Sequence, residues 1–326
     1  MTTARRSRRR ADGRAGRTGE VPPRRAVPAV RQVRPAMHTV RDLLRYALSR
    51  FEAAGLAYGH GTDNGYDEAA WLVLWALHLP LERLEPFLDA RLTPPERDTV
   101  LQLIDRRCKQ RVPAAYLTGE AWLRGHRFLA DRRALIPRSL IAEALDDSAG
   151  TELPQAPATV LDLCTGGGSL AILTALRWPR VQVTGTDLSP DALALAAENV
   201  ALYGLADRIS LLQGNLFEPV HDRSFDLILC NPPYVNQASI DALPAEYRAE
   251  PAGALAGVGD GMTLVAPIIA QAAVHLNRGA GMLIEIGHER AAFEAVCHRL
   301  EFSYLPVTAG EDQLVWVTRT QLAARR

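Results

Sequence analysis

Asn231-Pro232-Pro233-Tyr234 follows directly on the apolar run 225–230. The chemistry these four residues support is group transfer to a planar, uncharged nitrogen. The nitrogen of an amide or of an aromatic amine is a poor nucleophile because its lone pair is delocalised, and no side chain here would deprotonate it at neutral pH. Positioning has to do most of the work, and orientation of that kind supplies about 7–11 kcal/mol of a barrier. The side-chain oxygen of Asn231 can accept one N–H and the carbonyl of Pro232 the other. Two acceptors also favour the NH₂ group as it gains positive charge. Pro232 and Pro233 fix the backbone and remove competing donors, and Tyr234 offers a flat face to a planar group. Asn-Pro-Pro is also ordinary turn chemistry; its place at the carboxyl end of a buried strand is what gives it a functional meaning.

A second group lies upstream. Asp162-Leu163-Cys164-Thr165-Gly166-Gly167-Gly168 closes a short apolar run and opens a helix, where open α/β sheets bind ligands. Nineteen residues after Gly168, Asp187 ends the next strand, where a carboxylate can accept both hydroxyls of a ribose. The spacing Gly166-x-Gly168-x-x-Ala171 also satisfies the dinucleotide fingerprint, so NAD competes with S-adenosylmethionine as the cofactor. Two features favour the latter: Asp162, suited to a ligand with a cationic amino group, and the Asn231–Tyr234 motif, which a hydride-transfer enzyme would leave idle. Asn215 is a candidate partner for an adenine amino group.

Placing these residues requires alternating strands and helices. Runs at 159–163, 181–187, 209–213, 225–230 and 281–286 read as strands, with helices at 170–178 and from Pro190 toward a stop at Gly204, the latter capped by Ser189. That alternation predicts a parallel sheet flanked by helices. The segments 303–307 and 314–318 flank Thr308-Ala309-Gly310-Glu311-Asp312 and read as two strands joined without a crossover helix. Ahead of the sheet, 39–111 has helical periodicity, including a capped start at Thr93-Pro94-Pro95-Glu96. Residues 112–138, broken by Gly119 and Gly125, suggest short strands or a hairpin, and 146–157 a loop. The expected division is a disordered Arg-rich tail at 1–36, a helical substrate-recognition domain at 37–111, a hairpin linker at 112–157 and the catalytic domain at 158–326. Asp226 reads as a solvated strand start, and His60, His78 and His288 as residues without ligand spacing.

The chain's 326 residues sum to no net charge, but unevenly: residues 1–36 hold eleven arginines against Asp12 and Glu20, about +9, leaving about −9 on the remainder. Such a tail buries too little to offset ordering. It fits an RNA-contacting arm, a transit peptide, or an upstream start to a chain beginning at Met37. The richest apolar run, 69–81, is too short to span a bilayer and is broken by His78 and Pro80, so no membrane span is expected. Cys108, Cys164, Cys230 and Cys297 are too scattered to suggest a metal site or a disulfide framework. No metal is expected, and a reducing cytoplasm is the natural compartment.

The glycine loop, Asp187 and Asn231–Tyr234 resemble the class I methyltransferases, and more narrowly the HemK-type protein glutamine methyltransferases. Val40-Arg41-Asp42-Leu43-Leu44, Gly59-His60-Gly61-Thr62-Asp63-Asn64, the segments 87–93 and 112–122, and Leu243-Pro244-Ala245-Glu246-Tyr247 are similar to the branch that methylates large-subunit ribosomal protein three. The resemblance covers the chain from about Thr39 onward. It implies an α/β fold: a seven-stranded sheet with its last strand antiparallel, behind a small amino-terminal helical domain. Thr165, Gly166, Gly167, Gly168, Asp187, Asn215 and Leu216 would bind S-adenosylmethionine, and Asn231, Pro232, Pro233 and Tyr234 the target glutamine. The product would be N5-methylglutamine, a modification tied to ribosome biogenesis. Departures are Gly167 for a usual Ser, Asn215 for Asp, Leu140 for Pro and Ala249 for His. The partner would be ribosomal protein three, free or within an assembling particle; direct binding to nucleic acid is left open.

Rival readings keep some of these residues. A release-factor glutamine methyltransferase shares the chemistry. An adenine or guanine amino methyltransferase would present the same two hydrogens after base flipping, although the helical region lacks a basic stripe beyond Arg106-Arg107-Lys109-Arg111. An NAD oxidoreductase, or a non-enzymatic assembly factor, would leave the Asn231 motif without a role.

Overall fold

A computed structural model describes residues 27–146, 153–256 and 261–324; of the expected tail, residues 1–26 lie outside the described residues, as do residues 147–152 of the 146–157 loop. The amino-terminal unit is built on the helices Val40–Ala54, Gly65–Ala76 and Pro94–Gln110. Thr39 caps the first: its hydroxyl accepts from Asp42 N while the Asp42 carboxylate accepts from Thr39 N at 3.0 Å, satisfying donors that a helix start leaves open. Gly55, at φ 56°, ends it, and Arg111 donates to the last carbonyls, Ala54 O and Gly55 O, at 2.9 and 3.1 Å. The face carrying Leu43, Leu44, Ala47 and Phe51 is buried against Leu72, Val100 and Ile104. Residues 30–36, inside the segment expected to lack structure, form a helical turn. It is tied down by Arg34 on Asp98 and by the Tyr46 hydroxyl donating to Pro28 O.

The linker holds the expected hairpin, β1 (Glu120–Leu123) with β2 (His126–Leu129), antiparallel. Tyr116 and Leu117, expected on a strand, lie on a short helix, Ala114–Thr118. Pro113 opens it, the Thr118 hydroxyl donates to Ala114 O, and Gly119 terminates it at φ 76°.

The main sheet comprises β3 (Thr159–Leu163), β4 (Gln182–Asp187), β5 (Ile209–Gln213), β6 (Phe225–Cys230), β7 (Leu276–Glu285), β8 (Ser303–Val307) and β9 (Gly310–Thr318). Their order is β5-β4-β3-β6-β7-β9-β8. The pairs from β5 to β7 are parallel, and β9 runs antiparallel to both its neighbours. This is the seven-stranded sheet with an antiparallel last strand that the sequence predicts. Successive strand residues face opposite sides. Val160, Leu227 and Leu229 pack under the helices Ser169–Arg177 and Pro190–Leu202, whereas Leu161, Ile228 and Ile284 pack under Val265–Ala272 and Arg290–Val296. Asp226 is not a solvated strand start. It accepts from Ala158 N, Thr159 N and Asn277 Nδ2 at 2.8–3.0 Å, pinning the entry of β3 to β6.

The chain winds outward from β3 through β4 to β5, then returns to β6 on the other side of β3. The crevice opens at the carboxyl ends of these two strands, the switch point of the sheet.

Candidate active site

Leu163 and Cys230 are register partners, so the loop after β3 and the motif after β6 leave the sheet side by side. Between them lies a cavity of about 460 Å³. Its walls include Cys164, Thr165, Gly166 and Gly167, then Asp187, Leu188, Asn215 and Leu216, and then Asn231 and Pro233. Gly168, Asp162, Pro232 and Tyr234 are not on the wall, so the structure brings together most of the expected residues but sets these four behind it.

The loop is shaped by backbone that only a few residue types tolerate. Gly166 and Gly168 have φ of 56° and 80°, and a Cβ on Gly168 would stand 3.1 Å from that of Ala196. Gly167 has only ordinary contacts around an added Cβ, so the Ser that the resemblance leads one to expect there would fit. Cys164 and Leu216 also adopt positive φ, 62° and 48°. For side chains with a Cβ that conformation costs on the order of 1–2 kcal/mol, and the sequence gives no sign of it. Both strained residues line the cavity.

Asp187 holds this loop while facing the cavity. One carboxylate oxygen accepts from Gly166 N at 2.8 Å and the other from Ser189 N at 2.9 Å, leaving further lone pairs for a diol. Leu188 beside it is an exposed large apolar side chain, a surface for the face of a heterocycle. Asn215 is exposed, and its backbone exchanges hydrogen bonds with Glu218. Asp162, expected opposite a cationic amino group, sits behind the loop instead. Its Oδ2 accepts from the Thr165 hydroxyl at 2.5 Å and from Ala171 N at 2.9 Å, while Oδ1 is buried without a partner. Burial pushes this carboxyl up to about 7.

The amide of Asn231 makes no hydrogen bond to any described residue, and the Pro232 carbonyl accepts none from the backbone. A half-buried amide on a cavity wall without a partner is an acceptor in waiting. Tyr234 is used differently from the expected flat platform. Its ring packs on Gly287, where a Cβ would come within 2.6 Å of the ring, and its hydroxyl donates to Glu285 Oε1 at 2.8 Å. Glu285 ends β7. Its Oε2 accepts from the Ser139 hydroxyl at 2.6 Å and from Leu140 N at 3.0 Å. Burial pushes the Glu285 carboxyl up, and burial with the adjoining Glu285 pushes the Tyr234 hydroxyl well up.

Several residues of the site were not legible beforehand. The segment 133–139 roofs the cavity. Asn199 is fully buried and ties the glycine loop to the hairpin: its Nδ2 donates to Gly167 O at 2.9 Å, and Leu129 N donates to its Oδ1 at 2.7 Å. An Asn on the buried face of an otherwise apolar helix, between Ala196 and Val200, is the signal that could have found it.

These residues fit S-adenosylmethionine: a glycine loop whose Gly166 and Gly168 take positive φ, a carboxylate facing the cavity beside an apolar side chain, and an amide without a hydrogen-bond partner among the described residues. The cofactor supplies an electrophilic methyl group. The chain's own residues would then hold a planar NH₂ on the wall amide of Asn231, with the adjoining Pro232 carbonyl as the expected second acceptor. Methylation would raise the acidity of the remaining N–H, so its proton would pass to water without a strong base.

The model of the Methyltransferase small domain matches residues 140–259, and that of the PrmC N-terminal domain matches residues 42–119. A ribosomal protein uL3 glutamine methyltransferase of Bordetella pertussis is 56% identical over 291 residues, 89% of this chain and 98% of that protein. The protein of that name from Burkholderia pseudomallei is 51% identical over 88% of this chain and 96% of its own length. That from Bradyrhizobium diazoefficiens is 41% identical over 91% and 96%. With relatives this similar aligned along nearly all of both chains, and a cavity that joins the glycine loop to Asn231, the chain belongs to the family of ribosomal protein uL3 glutamine methyltransferases.

Proposed function

We propose that this chain transfers a methyl group from S-adenosylmethionine to the side-chain amide nitrogen of a glutamine in ribosomal protein uL3. The observation that carries the reaction is the unpartnered Asn231 amide on the wall shared with the glycine loop and Asp187. The name of the relatives carries the substrate. In this reading Asn231, Pro232 and Pro233 receive the glutamine, and Tyr234 holds the motif through Glu285. Thr165 to Gly168, Asp187, Asn215 and Leu216 hold the cofactor, and Asp162 supports it through Thr165. The helical region at 37–111 contacts the protein substrate, and the activity belongs in the cytoplasm, acting on uL3 either free or in an assembling particle. No described helix is long and apolar enough to cross a membrane.

The test is incubation of the full chain with labelled S-adenosylmethionine and, separately, uL3, large-subunit precursor particles, release factor and nucleic acid, with the label located by peptide mass spectrometry. Label on a uL3 glutamine, lost in Asn231→Ala, is the expected result. Label on release factor or on a base would overturn the substrate.

A further inference from the structure

Two motifs quoted for the resemblance, 59–64 and 243–247, have no part in the reaction as derived above, yet the structure brings them together. Residues 244–251 form a strap between the helical unit and the cavity, and the strap carries two buried carboxylates, Glu246 and Glu250. Glu246 faces the helical unit: Oε1 accepts from Arg107 Nη1 and from Ala57 N, each at 3.2 Å. Arg107 is itself fully buried and paired with Glu68 at 2.7 Å. Glu250 faces the cavity roof. It accepts from both terminal nitrogens of Arg138, at 2.6 and 2.7 Å, and from Ile136 N at 3.0 Å. His60 Nε2 lies 3.4 Å from Glu250 Oε2; the Tyr247 ring meets the His60 ring at 4.3 Å, tilted by 53°, and the Arg138 guanidinium lies over the Tyr247 ring at 5.5 Å.

The consequence is geometric. Ile136, Pro137 and Arg138 line one wall of the cavity, and Pro251, Gly253 and Ala254, directly after Glu250, line another. A single buried side chain therefore joins two walls that are more than a hundred residues apart in sequence, and a bidentate carboxylate–guanidinium pair fixes direction as well as distance. We propose that Glu250 is a positioning residue of the methyl-donor cavity, holding Arg138 and the 136–138 backbone in register with the 251–254 wall, with His60 bracing it from the helical unit. This rests on the reading of the cavity as the cofactor site.

A positioning role and a merely structural one separate kinetically. Misaligned walls weaken binding in ground and transition states alike, which raises KM with kcat preserved, whereas partial unfolding lowers the active fraction and hence apparent kcat with KM preserved. In the full-length protein, Glu250→Gln keeps the shape and removes the charge. It is expected to raise the KM for S-adenosylmethionine, and its calorimetric Kd, by on the order of tenfold. Should Glu250→Gln fail to fold, Glu250→Asp retains the anion but is one methylene too short to reach Arg138 and Ile136 N together, and the same rise is expected of it. A folded variant of either kind that binds S-adenosylmethionine as tightly as wild type, or loses only kcat, overturns the proposal. Because the readout is cofactor binding, a wild-type chain that binds S-adenosylmethionine but leaves uL3 glutamine unmodified sinks the substrate reading and not the role of Glu250.

Discussion

The hydroxyl of Tyr234 is bonded to Glu285 at 2.8 Å, so the last residue of the catalytic motif is anchored to the end of β7. The same carboxylate holds Ser139 of the cavity lining and the adjoining Leu140 N. Removing only the hydroxyl should therefore disturb the site without abolishing it. Tyr234→Phe keeps the ring on Gly287 and leaves Glu285 with two donors; we expect a loss of stability of about 1–3 kcal/mol and a fall in kcat below tenfold. Thermal unfolding and steady-state kinetics check this. A Phe variant as inactive as Asn231→Ala would mean that the hydroxyl takes part in the reaction.

Asn231 has no side-chain hydrogen-bond partner among the described residues. Asn231→Ala should lower kcat by roughly 10²–10³, the scale of deleting one preorganised polar contact to the reacting group, while the unfolding midpoint and cofactor affinity stay near wild type. Calorimetry with S-adenosylhomocysteine beside turnover assays separates the two; lost cofactor affinity would place Asn231 in the donor site instead.

Glu250 predicts an acid-sensitive fold. Burial pushes its carboxyl up, but the hydrogen-bonded Arg138 guanidinium, with the His60 ring nitrogen close by, outweighs this and holds it down to about 2 from an ordinary 4.5. A depressed carboxylate stabilises the fold above its unfolded value and loses that contribution as the pH falls through the folded one. The contribution, on the order of 3 kcal/mol, should fade between about pH 4.5 and 2. Denaturant unfolding across that range should show a steeper acid loss for wild type than for Glu250→Gln; parallel curves would refute the assignment.

Asp162 predicts the opposite sign. Its carboxyl is raised to about 7 by burial, so the fold favours the protonated form. Stability from this group is complete below about pH 3.8 and is lost as the pH rises through 7. Asp162→Asn removes the titration, so the gap in unfolding midpoint between wild type and variant should shift in favour of the variant from pH 5 to pH 8. A gap independent of pH would show that Asp162 is ionised in the fold at acid pH.

The elements were legible where one period dominated. The strands at 159–163, 209–213 and 225–230 and the capped helix start at Thr93 follow from local pattern and side-chain capping alone, and the β8–β9 pair from a short turn without room for a helix. The cavity was legible as far as its strand ends, because glycine spacing and Asn-Pro-Pro mark backbone that must approach a ligand. What escaped were contacts between distant segments. Nothing near Glu250 in sequence announces Arg138 or His60, and nothing near Asn199 announces Gly167. Asp162 was assigned to the ligand on its position before the glycines, but its side chain points to Thr165 and Ala171. Tyr116 and Leu117 looked like strand residues because their neighbours are, whereas Pro113 and Gly119 delimit one helical turn.

The strand order carries a consequence for how the protein is made. β7 is flanked by β6 on one side and by β9 on the other. Until β9 has docked, the edge of β7 at Gly281–Glu285 is unpaired, five residues that are all buried in the finished fold. An open apolar edge of this length invites pairing with other chains. A chain in which β8 and β9 have not yet docked therefore carries a sticky apolar edge in the middle of its sheet and is prone to aggregate rather than to catalyse.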